Sequence, residues 1–316
     1  MLKVNTQFLE QLEAEFLPTD VSTLPSGCSI LGYGEISTVI SVTDPDCGMY
    51  AVKRIPLFES GEDAAGYALF YERYNILLQE AGLSTPPYAG VAVKSRNGNF
   101  SVMLAQEMQP AETFCHRLIH QLPKEDSLRL IGSVFTEMKK VWDFHPAGIR
   151  LGLDGQLSNW AVRGGENGKL GDTIHLIYLD TSTPFINENG LELLDKGMFM
   201  KSAPFFLRPV LYFLAQGIIE RYYNLRSVVV DLLANLIKEG KSDLLEDSLI
   251  IANDFLAGAM QGEEFKVISL KEVNGYYKED KMTWEVYLKF RRFDRWLRTK
   301  VLRMGYEFLL PGPIKR

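Results

Sequence analysis

The spacing of apolar and polar residues divides the chain into two parts of different character. After about residue 190, apolar residues recur at the interval of an amphipathic helix. Before about residue 109, short runs of β-branched and aromatic residues alternate with turn residues. They predict strands at CSIL (28–31), TVISV (38–42), MYAVKRI (49–55), GVAVKS (90–95) and FSVMLAQEM (100–108). We therefore predict a sheet followed by a helical part.

One helix interrupts the predicted strands. Between the third and fourth runs, apolar residues return at helical spacing from Tyr67 to Ala81, and Gly82 stands at the position of a C-cap. The sequence Arg96-Asn97-Gly98-Asn99 predicts the tight turn of a hairpin between the last two strands. A further amphipathic helix is predicted within residues 1–18, ahead of the first strand.

The second part is predicted to be mainly helical. A helix at 125–143 precedes two short strands, around 158–163 and 173–179, that the glycine-rich segment 164–172 joins. Further helices are expected near 191–200, 205–222, 224–239, 243–258 and 284–304.

Composition and charge exclude several classes of protein. The 316 residues are 46% apolar and 23% charged, an ordinary globular composition. Three scattered cysteines predict no disulfide framework and favour a cytoplasmic location. No apolar run approaches the roughly 18 residues that a bilayer span needs. The net charge of −6 argues against a nucleic-acid partner.

Small residues and one lysine mark the first three predicted strands. The turn between the first two reads LGYGEISTV from residue 31 to 39, and Gly32 and Gly34 let the backbone approach a phosphate without a Cβ in the way. The third strand carries Lys53 two residues after Ala51. Alternatively, the two glycines belong to an ordinary hairpin turn, and Lys53 is a solvent-exposed lysine on a strand.

Acidic and amide side chains follow at spacings that suit phosphate chemistry. Asp154 lies five residues before Asn159, between a long helix and a hairpin, and Asp180 ends an apolar strand. A carboxylate can orient the proton of an acceptor hydroxyl, and carboxylate and amide oxygens bind magnesium. Glu72, inside the first-part helix, can fix the direction of Lys53, although it also suits a solvated helix face.

These five segments, in this order, resemble the protein-kinase-like superfamily. The resemblance covers about residues 28–182 and is nearest to the group of aminoglycoside phosphotransferases, choline kinases and fructosamine kinases. It implies an α+β, two-lobed, protein-kinase-like fold. A small N-lobe, residues 1–108, would have a five-stranded antiparallel sheet with one helix, and a larger, mainly helical C-lobe would span residues 109–316.

The resemblance also implies ATP and Mg²⁺ as cofactors and assigns a role to each residue. Asp154 would be catalytic, and Asn159 and Asp180 would bind the metal. The hinge between the lobes would be QEMQ at 106–109, where backbone groups pair with adenine. The nucleotide-binding residues would be Gly32, Gly34, Ser37, Val39, Ala51, Lys53, Glu72, Glu107 and Met108.

Several positions depart from the family pattern. Ser37 stands where a third glycine is usual, Gly152 where a histidine is usual, and Thr181-Ser182 where Phe-Gly is usual. The chain lacks an A-P-E motif and runs quickly into helices after Asp180. The last two features resemble the aminoglycoside phosphotransferase group and imply, by that resemblance, a small-molecule hydroxyl or amine acceptor. A catalytically weak pseudokinase that binds nucleotide is the alternative, and a protein kinase with an unusual activation segment is a third possibility.

The predicted helix at 284–304 is strongly basic. Residues 289–303 contain seven basic residues and one acidic residue in a chain whose net charge is −6. An apolar stripe runs along the helix through Val286, Phe290, Phe293, Leu297 and Val301. We favour packing of this stripe on the core, with contact to an acidic partner or a membrane surface as the alternative.

Overall fold

The first part of the chain folds into a five-stranded antiparallel sheet. The computed structural model describes residues 1–34, 36–164, 169–260 and 266–310. The strands lie in the order β1-β2-β3-β5-β4, and helix α2 (Gly61–Glu80) connects β3 to β4. Their bounds are β1 Cys28–Tyr33, β2 Thr38–Asp44, β3 Gly48–Phe58, β4 Tyr88–Lys94 and β5 Phe100–Glu107. The predicted five strands and the helix after the third strand are confirmed.

The end of helix α2 and the hairpin turn between β4 and β5 lie where the sequence predicted them. Helix α2 begins at a cap in which the Ser60 hydroxyl accepts a hydrogen bond from the Asp63 N–H at 3.0 Å. It ends at Gly82, whose φ of 92° is a conformation that glycine adopts without strain. Gly98 has a φ of 88° in the predicted hairpin turn, where the N–H of Ser95 donates to the carbonyl of Asn99 at 2.8 Å.

One face of the sheet packs against the N-terminal helix α1 (Thr6–Glu15). Leu9 and Leu12 of α1 are fully buried against side chains of β2, β3, β4 and β5, among them Ile40 and Val52. In each strand the alternate side chains point to the opposite face. That opposite face is only half-buried at Val39. Helix α2 covers part of this second face, where Tyr67 and Tyr71 pack with Val102 and Leu104, and the part near Val39 stays available to a site.

A buried ion pair fixes α1 to the sheet. The Arg54 guanidinium donates from Nε and Nη2 to the two carboxylate oxygens of Glu13, at 2.6 and 2.7 Å. Ser95 and Ser101 donate hydroxyl hydrogen bonds to the same carboxylate. Both charged side chains are almost fully buried, so each depends on the other for neutralisation.

Replacing Glu13 with alanine should lower the free energy of unfolding by about 3 kcal/mol or more, because the buried Arg54 would lose its two-bonded partner and keep only the Glu307 carboxylate, 3.6 Å away and partly exposed. Chemical denaturation measures the change. The matched control is Glu10→Ala on the exposed side of the same helix, for which we expect a change within about 0.5 kcal/mol. Equal effects of the two substitutions would contradict the role of the ion pair.

The second part is mainly helical, as predicted. Its helices are α3 Cys115–Leu118, α4 Lys124–Asp143, α5 Lys196–Ser202, α6 Arg208–Tyr222, α7 Leu225–Lys238, α8 Leu245–Ala259 and α9 Leu270–Trp296. Short strands lie between α4 and α5: β6 Ile149–Leu151, β7 Trp160–Val162, β8 Leu176–Tyr178, β9 Ile186–Glu188 and β10 Leu191–Glu192. Strands β7 and β8 form the predicted hairpin, whose residues 165–168 lie outside the described ranges.

Two predicted helix bounds are wrong. Residues 191–192 pair with β9 as a strand, and α5 begins only after Asp195, whose carboxylate caps it at the N–H of Gly197. The last helix begins at Leu270, well before residue 284, where the Ser269 hydroxyl accepts from the N–H of Glu272. A Ser followed three residues later by Glu is a recognised helix start, so the sequence did contain that signal.

The apolar stripe of α9 faces outward, so its predicted packing on the core is wrong. Val286 is 45% exposed, Phe290 38%, Phe293 50% and Val301 54%. Residue Leu297 is half-buried, at the start of the π-helical turn that follows α9.

A polar pair occupies the inner face of α9 instead. Arg291 and Asp294 are buried, at 1% and 2% exposure. The Arg291 guanidinium lies over the ring of Phe308 at 5.0 Å, and Asp294 pairs with Arg298 at 2.9 Å. Cation–π and ionic contacts therefore set the rotation of the helix. None of the described helices is long and apolar enough to cross a bilayer.

Candidate active site

Lys53 and Asp180 meet where the sheet faces the helical part. The Lys53 ammonium lies 3.0 Å from Oδ1 of Asp180 and also contacts the hydroxyl of Ser182. That hydroxyl donates to the same Asp180 oxygen at 2.8 Å. A cation from β3 and an anion from the segment after β8 thus share one partly buried site.

Asp154 lies in a loop that several hydrogen bonds hold. Its N–H donates to the Tyr178 hydroxyl at 3.2 Å, and the N–H of Gln156 donates to its carboxylate at 3.1 Å. The preceding Leu153 is fully buried, and its N–H donates to the carbonyl of Tyr222 at 3.1 Å. The backbone on both sides of the carboxylate is therefore fixed.

Asn159 joins the Asp154 loop to the strand that carries Asp180. The Asn159 amide donates to the Asp154 carbonyl at 3.2 Å, and the N–H of Leu179 donates to the Asn159 carbonyl at 2.8 Å. With its nitrogen used in this way, the amide of Asn159 keeps its oxygen for another ligand. The structure thus brings all three predicted C-terminal site residues together.

Gly152 occupies a position with no room for a side chain. A Cβ there would lie 2.7 Å from the carbonyl oxygen of Tyr222 and 3.2 Å from the Cβ of Phe185. Its own carbonyl accepts a hydrogen bond from the buried Tyr74 hydroxyl at 2.6 Å. Packing by Tyr222 and Phe185 thus requires glycine at this position.

The turn between β1 and β2 brings Gly34 close to Lys53. A Cβ on Gly34 would collide with the hydroxyl of Ser37 and come within 3.8 Å of the Lys53 Cε. The Gly34 N–H donates to the Ser37 carbonyl at 2.9 Å. Gly32 has open space where a Cβ would be. Residue 35 of the predicted motif lies outside the described residues.

Three predicted nucleotide-binding residues share the face of the sheet opposite α1. Val39 pairs directly with Lys53, and Ala51 precedes Lys53 by two residues, so the three side chains point to the same side. Ala51 also pairs with Gln106 of β5, whose side-chain amide donates to the Thr181 hydroxyl at 2.8 Å. This contact tethers Thr181 to the sheet.

The predicted hinge follows this face at the end of β5. Glu107 is the last residue of β5, and its N–H donates to the Pro87 carbonyl at 2.9 Å. Its carbonyl accepts from the Gln109 side chain at 3.4 Å. Met108 follows outside the strand and is half-buried. Adenine recognition by these residues stays a prediction.

Glu72 does not pair with Lys53. Among the described residues, the carboxylate within ion-pair distance of Lys53 belongs to Asp180. Burial and the nearby charge of Glu72 raise the pKa of Tyr88, which places Glu72 beside that residue. The buried face of α2 instead presents Tyr67, whose hydroxyl donates to the Ser182 carbonyl at 2.8 Å.

The reason is the rotation of α2. Tyr67, Tyr71 and Tyr74 recur at helical spacing and are buried, whereas residue 72 is turned away from Tyr71 by about 100°. Tyrosine hydroxyls, rather than a carboxylate, therefore meet the loop that carries Asp180.

A cavity of about 730 Å³ opens at these side chains. Its wall includes the predicted residues Gly34, Ser37, Lys53, Asp154 and Asp180. The other predicted site residues lie outside the cavity wall: Gly32, Val39, Ala51, Glu72, Glu107, Met108 and Asn159. From the ion pair the cavity extends away from the sheet face, between the α5–α6 region and α9.

Sequence reasoning missed three contributors to this wall. Ser182 bridges Lys53 and Asp180, and Gln156 donates from its side chain to Asp231 at 3.0 Å. Ser182 was within a predicted segment, but no spacing rule distinguishes its role. Asp231 lies in α7, far along the chain, and no motif connects it to Asp154.

The carboxylates of the site have opposite pKa shifts. Burial, reinforced by the charges of Asp231 and Asp180, raises the pKa of Asp154 to about 8. Burial also raises the pKa of Asp231. For Asp180, burial opposes ionisation, but Lys53 and Ser182 outweigh it and hold the pKa below its ordinary value. The site therefore contains one carboxylate that stays ionised, Asp180, and one carboxyl group that binds a proton more readily, Asp154.

These shifts make stability depend on pH in a defined direction. The native state binds the Asp154 proton more tightly than the unfolded chain, so this contribution is complete below the ordinary pKa of 3.8 and is lost as pH rises to about 8. Between about pH 5 and 8, the free energy of unfolding should fall more steeply in the wild type than in Asp154→Asn. Denaturant titrations at several pH values measure both slopes. Parallel slopes would contradict the raised pKa.

The residues present fit a magnesium ion that a nucleotide helps to hold. Within the described ranges, no cluster of three or more His, Cys, Asp or Glu could bind a metal unaided. Magnesium typically takes one or two protein oxygens and completes its shell with substrate phosphates and water. The Asp180 carboxylate and the amide oxygen of Asn159, on hydrogen-bonded segments, suit that arrangement.

Comparison with known proteins adds a family without a described activity. The model of a family of unknown function (DUF6206) matches residues 19–295. No curated protein matches the sequence. A solved structure described as "WaaP in complex with acyl carrier protein" is similar at 16% identity, with a TM-score of 0.34, over 75% of this chain and 89% of that chain. A TM-score this low leaves fold and function to be argued from the residues.

Proposed function

The chain belongs to a family of unknown function (DUF6206), and we propose that it is an ATP- and magnesium-dependent phosphotransferase. The fold we infer is protein-kinase-like and two-lobed. Residues 1–108 form the lobe that binds nucleotide, and residues 109–316 form the lobe with the catalytic loop, the metal ligands and the acceptor site. The acceptor is a small molecule that carries a hydroxyl or an amine.

The observation that carries this proposal is the convergence of Lys53 and Asp180. The two residues come from different parts of the chain, yet their charged atoms lie 3.0 Å apart at the mouth of one cavity. Transfer of a phosphoryl group requires mainly positioning and neutralisation of charge. A fixed cation, a low-pKa carboxylate and a second carboxyl group beside them supply those elements.

Each residue has a distinct task in the proposed reaction. Lys53 and the backbone near Gly34 bind phosphate oxygens, and Asp180 with Asn159 holds magnesium, which when bound neutralises charge on the phosphates. Asp154 accepts the proton of the acceptor hydroxyl. The acceptor oxygen forms a bond to the γ-phosphorus, the bond from that phosphorus to the β–γ bridging oxygen breaks, and ADP leaves.

The raised pKa of Asp154 suits a proton acceptor. A general base works best when its pKa is close to the working pH, and burial with two neighbouring carboxylates brings this one to about 8. Because only the ionised form accepts a proton, kcat/KM should rise with pH through that value.

A nucleotide-binding module without turnover is the second candidate. The observation that favours it is that Lys53 and Glu72 form no ion pair. Lys53 contacts Asp180 and Ser182 instead, and Tyr67 of α2 donates to the Ser182 carbonyl. Such a module would bind ATP with magnesium and release no ADP.

Thermal unfolding with ATP, with and without magnesium, tests the proposal. We expect ATP with magnesium to raise the Tm more than ATP alone, since a ligand at about 100 times its Kd stabilises by about 2.7 kcal/mol. The magnesium-dependent part should vanish in Asp180→Asn. If ATP leaves the Tm unchanged at millimolar concentration in both conditions, the proposal fails. Release of ADP separates the enzyme from the binding module.

A further inference from the structure

The two ends of the cavity differ in chemistry. One end holds Asp154, Asp231 and Asn235. Away from this polar end, the wall of the cavity is formed largely by apolar side chains of α6, α9 and the segments beside them. Leu207, Leu211, Ala215, Ile219 and Phe290 are examples of this second group.

The polar end presents hydrogen-bond acceptors. Asn235 is 4% exposed, and its Oδ1 is buried and lacks a hydrogen-bond partner among the described residues. Asp231 accepts from the Gln156 side chain through Oδ2 and also from the Tyr276 hydroxyl. The Asp154 carboxylate lines the same end and is only half-buried, so this end suits a ligand group that donates hydrogen bonds, such as a hydroxyl.

The apolar end is unsuited to a fully polar ligand. Leu207 and Leu211 are only half-buried although they line the cavity, whereas Ala215 and Ile219 are nearly fully buried in its wall. A sugar or an amino alcohol alone would leave these surfaces against water. An alkyl group would remove them from water, which is the main driving force for binding in apolar cavities.

We propose that the phosphoryl acceptor is an amphiphile, with its hydroxyl-bearing head between Asp154 and Asn235 and its alkyl part along the apolar wall of α6 and α9. The transfer step rests on the proposed function, whereas binding of the amphiphile does not depend on it. The reaction would therefore phosphorylate the head group of a lipid-like alcohol.

The cavity continues into an exposed aromatic and basic surface. Phe290 lines the cavity, is 38% exposed, and lies in edge contact with the ring of Phe206 at 5.6 Å between centroids. Phe293 and Trp296 continue this exposed surface, at 50% and 53% exposure. The amphiphile can thus come from solution as a monomer or from an anionic lipid surface, where basic and aromatic side chains bind well.

A series of alkyl glucosides, from methyl to nonyl, tests the cavity by titration calorimetry below the micelle concentration and without ATP. We expect Kd to fall by up to about fourfold per added methylene while the chain fills the wall. Leu211→Gln should weaken binding of the longest member about tenfold or more. The control Leu191→Gln, at a leucine that is 70% exposed and outside the cavity, should leave it unchanged. A Kd independent of chain length would overturn the proposal.

A transfer assay with the same series separates this inference from the proposed function. Phosphorylation whose kcat/KM rises with chain length supports both, and chain-dependent binding without transfer supports only the amphiphile site. Efficient transfer to methyl glucoside, with no gain from longer chains, would overturn the proposal of an amphiphilic acceptor and would leave the proposed phosphotransferase activity standing.

A last experiment distinguishes the source of the acceptor. The nonyl compound is offered as a monomer or in vesicles with and without phosphatidylglycerol. A rate increase confined to the anionic vesicles identifies a membrane source, and equal rates identify a soluble one, each with the amphiphile retained as acceptor.

Discussion

Replacing Asp154 with asparagine should lower kcat for phosphoryl transfer by about 10²–10⁴-fold, the usual contribution of a positioned general base. The amide keeps the size of the side chain and can still accept from the Gln156 N–H that binds the carboxylate at 3.1 Å. It cannot take a proton from the acceptor. ATP with magnesium should still raise the Tm of the variant, since Lys53 and Asp180 are unchanged.

Measurement of ADP release beside the nucleotide-dependent Tm distinguishes loss of chemistry from loss of binding. The matched control is Asp172→Asn, at an exposed aspartate away from the cavity, which should retain wild-type turnover. Loss of both readouts in Asp154→Asn would indicate unfolding. Turnover equal to the wild type would show that Asp154 is not the base.

Lys53→Met should abolish most of the response to nucleotide. The substitution removes the cation that lies 3.0 Å from Asp180 and that we assign to the phosphate oxygens. Loss of one preorganised charge contact typically lowers turnover by about 10²–10³-fold, and the Tm increase with ATP should shrink in parallel. Nucleotide titration by differential scanning fluorimetry and ADP release measure the two effects.

Lys94→Met is the matched control for this prediction. Lys94 is an exposed lysine at the end of β4, outside the cavity wall. Its replacement should leave the ATP-dependent Tm and the turnover as in the wild type. If Lys94→Met and Lys53→Met respond equally to ATP, the assignment of Lys53 to phosphate binding is wrong.

Local signals predicted the first part of the chain well. Strand composition, the turn at Gly98 and the cap at Gly82 are short-range features, and antiparallel neighbours joined by short connections follow from them. These elements need little from the rest of the fold. The loop from Asp154 to Asn159 has short internal hydrogen bonds, but Tyr178 and Tyr222 from distant parts of the chain also hold it.

Rotations of helices were harder to predict. The spacing of residues in α2 does not decide whether Glu72 or the tyrosines point inward, and only packing against the sheet buries Tyr67 and Tyr71. In α9 the apolar stripe indicated the wrong inner face, because Arg291 is buried under the ring of Phe308. Hydrophobic periodicity does not predict a buried charged side chain that ionic and aromatic contacts stabilise.

The cavity itself has no signature in the sequence. Asp231 lies beside the Asp154 loop through its hydrogen bond from Gln156, and Phe290 reaches the same cavity wall through the packing of α9 on α7. Residues that are distant in sequence and carry no motif cannot be grouped before the tertiary contacts are known. The proposed acceptor class therefore rests on the cavity and not on a sequence motif.

A crystal structure with magnesium and a non-hydrolysable ATP analogue tests the central claim most directly. The proposed arrangement predicts triphosphate oxygens on Lys53, a metal ion on Asp180 and Asn159, and a γ-phosphate facing the cavity beside Asp154. An analogue bound elsewhere, with the ion pair of Lys53 and Asp180 undisturbed, would contradict it.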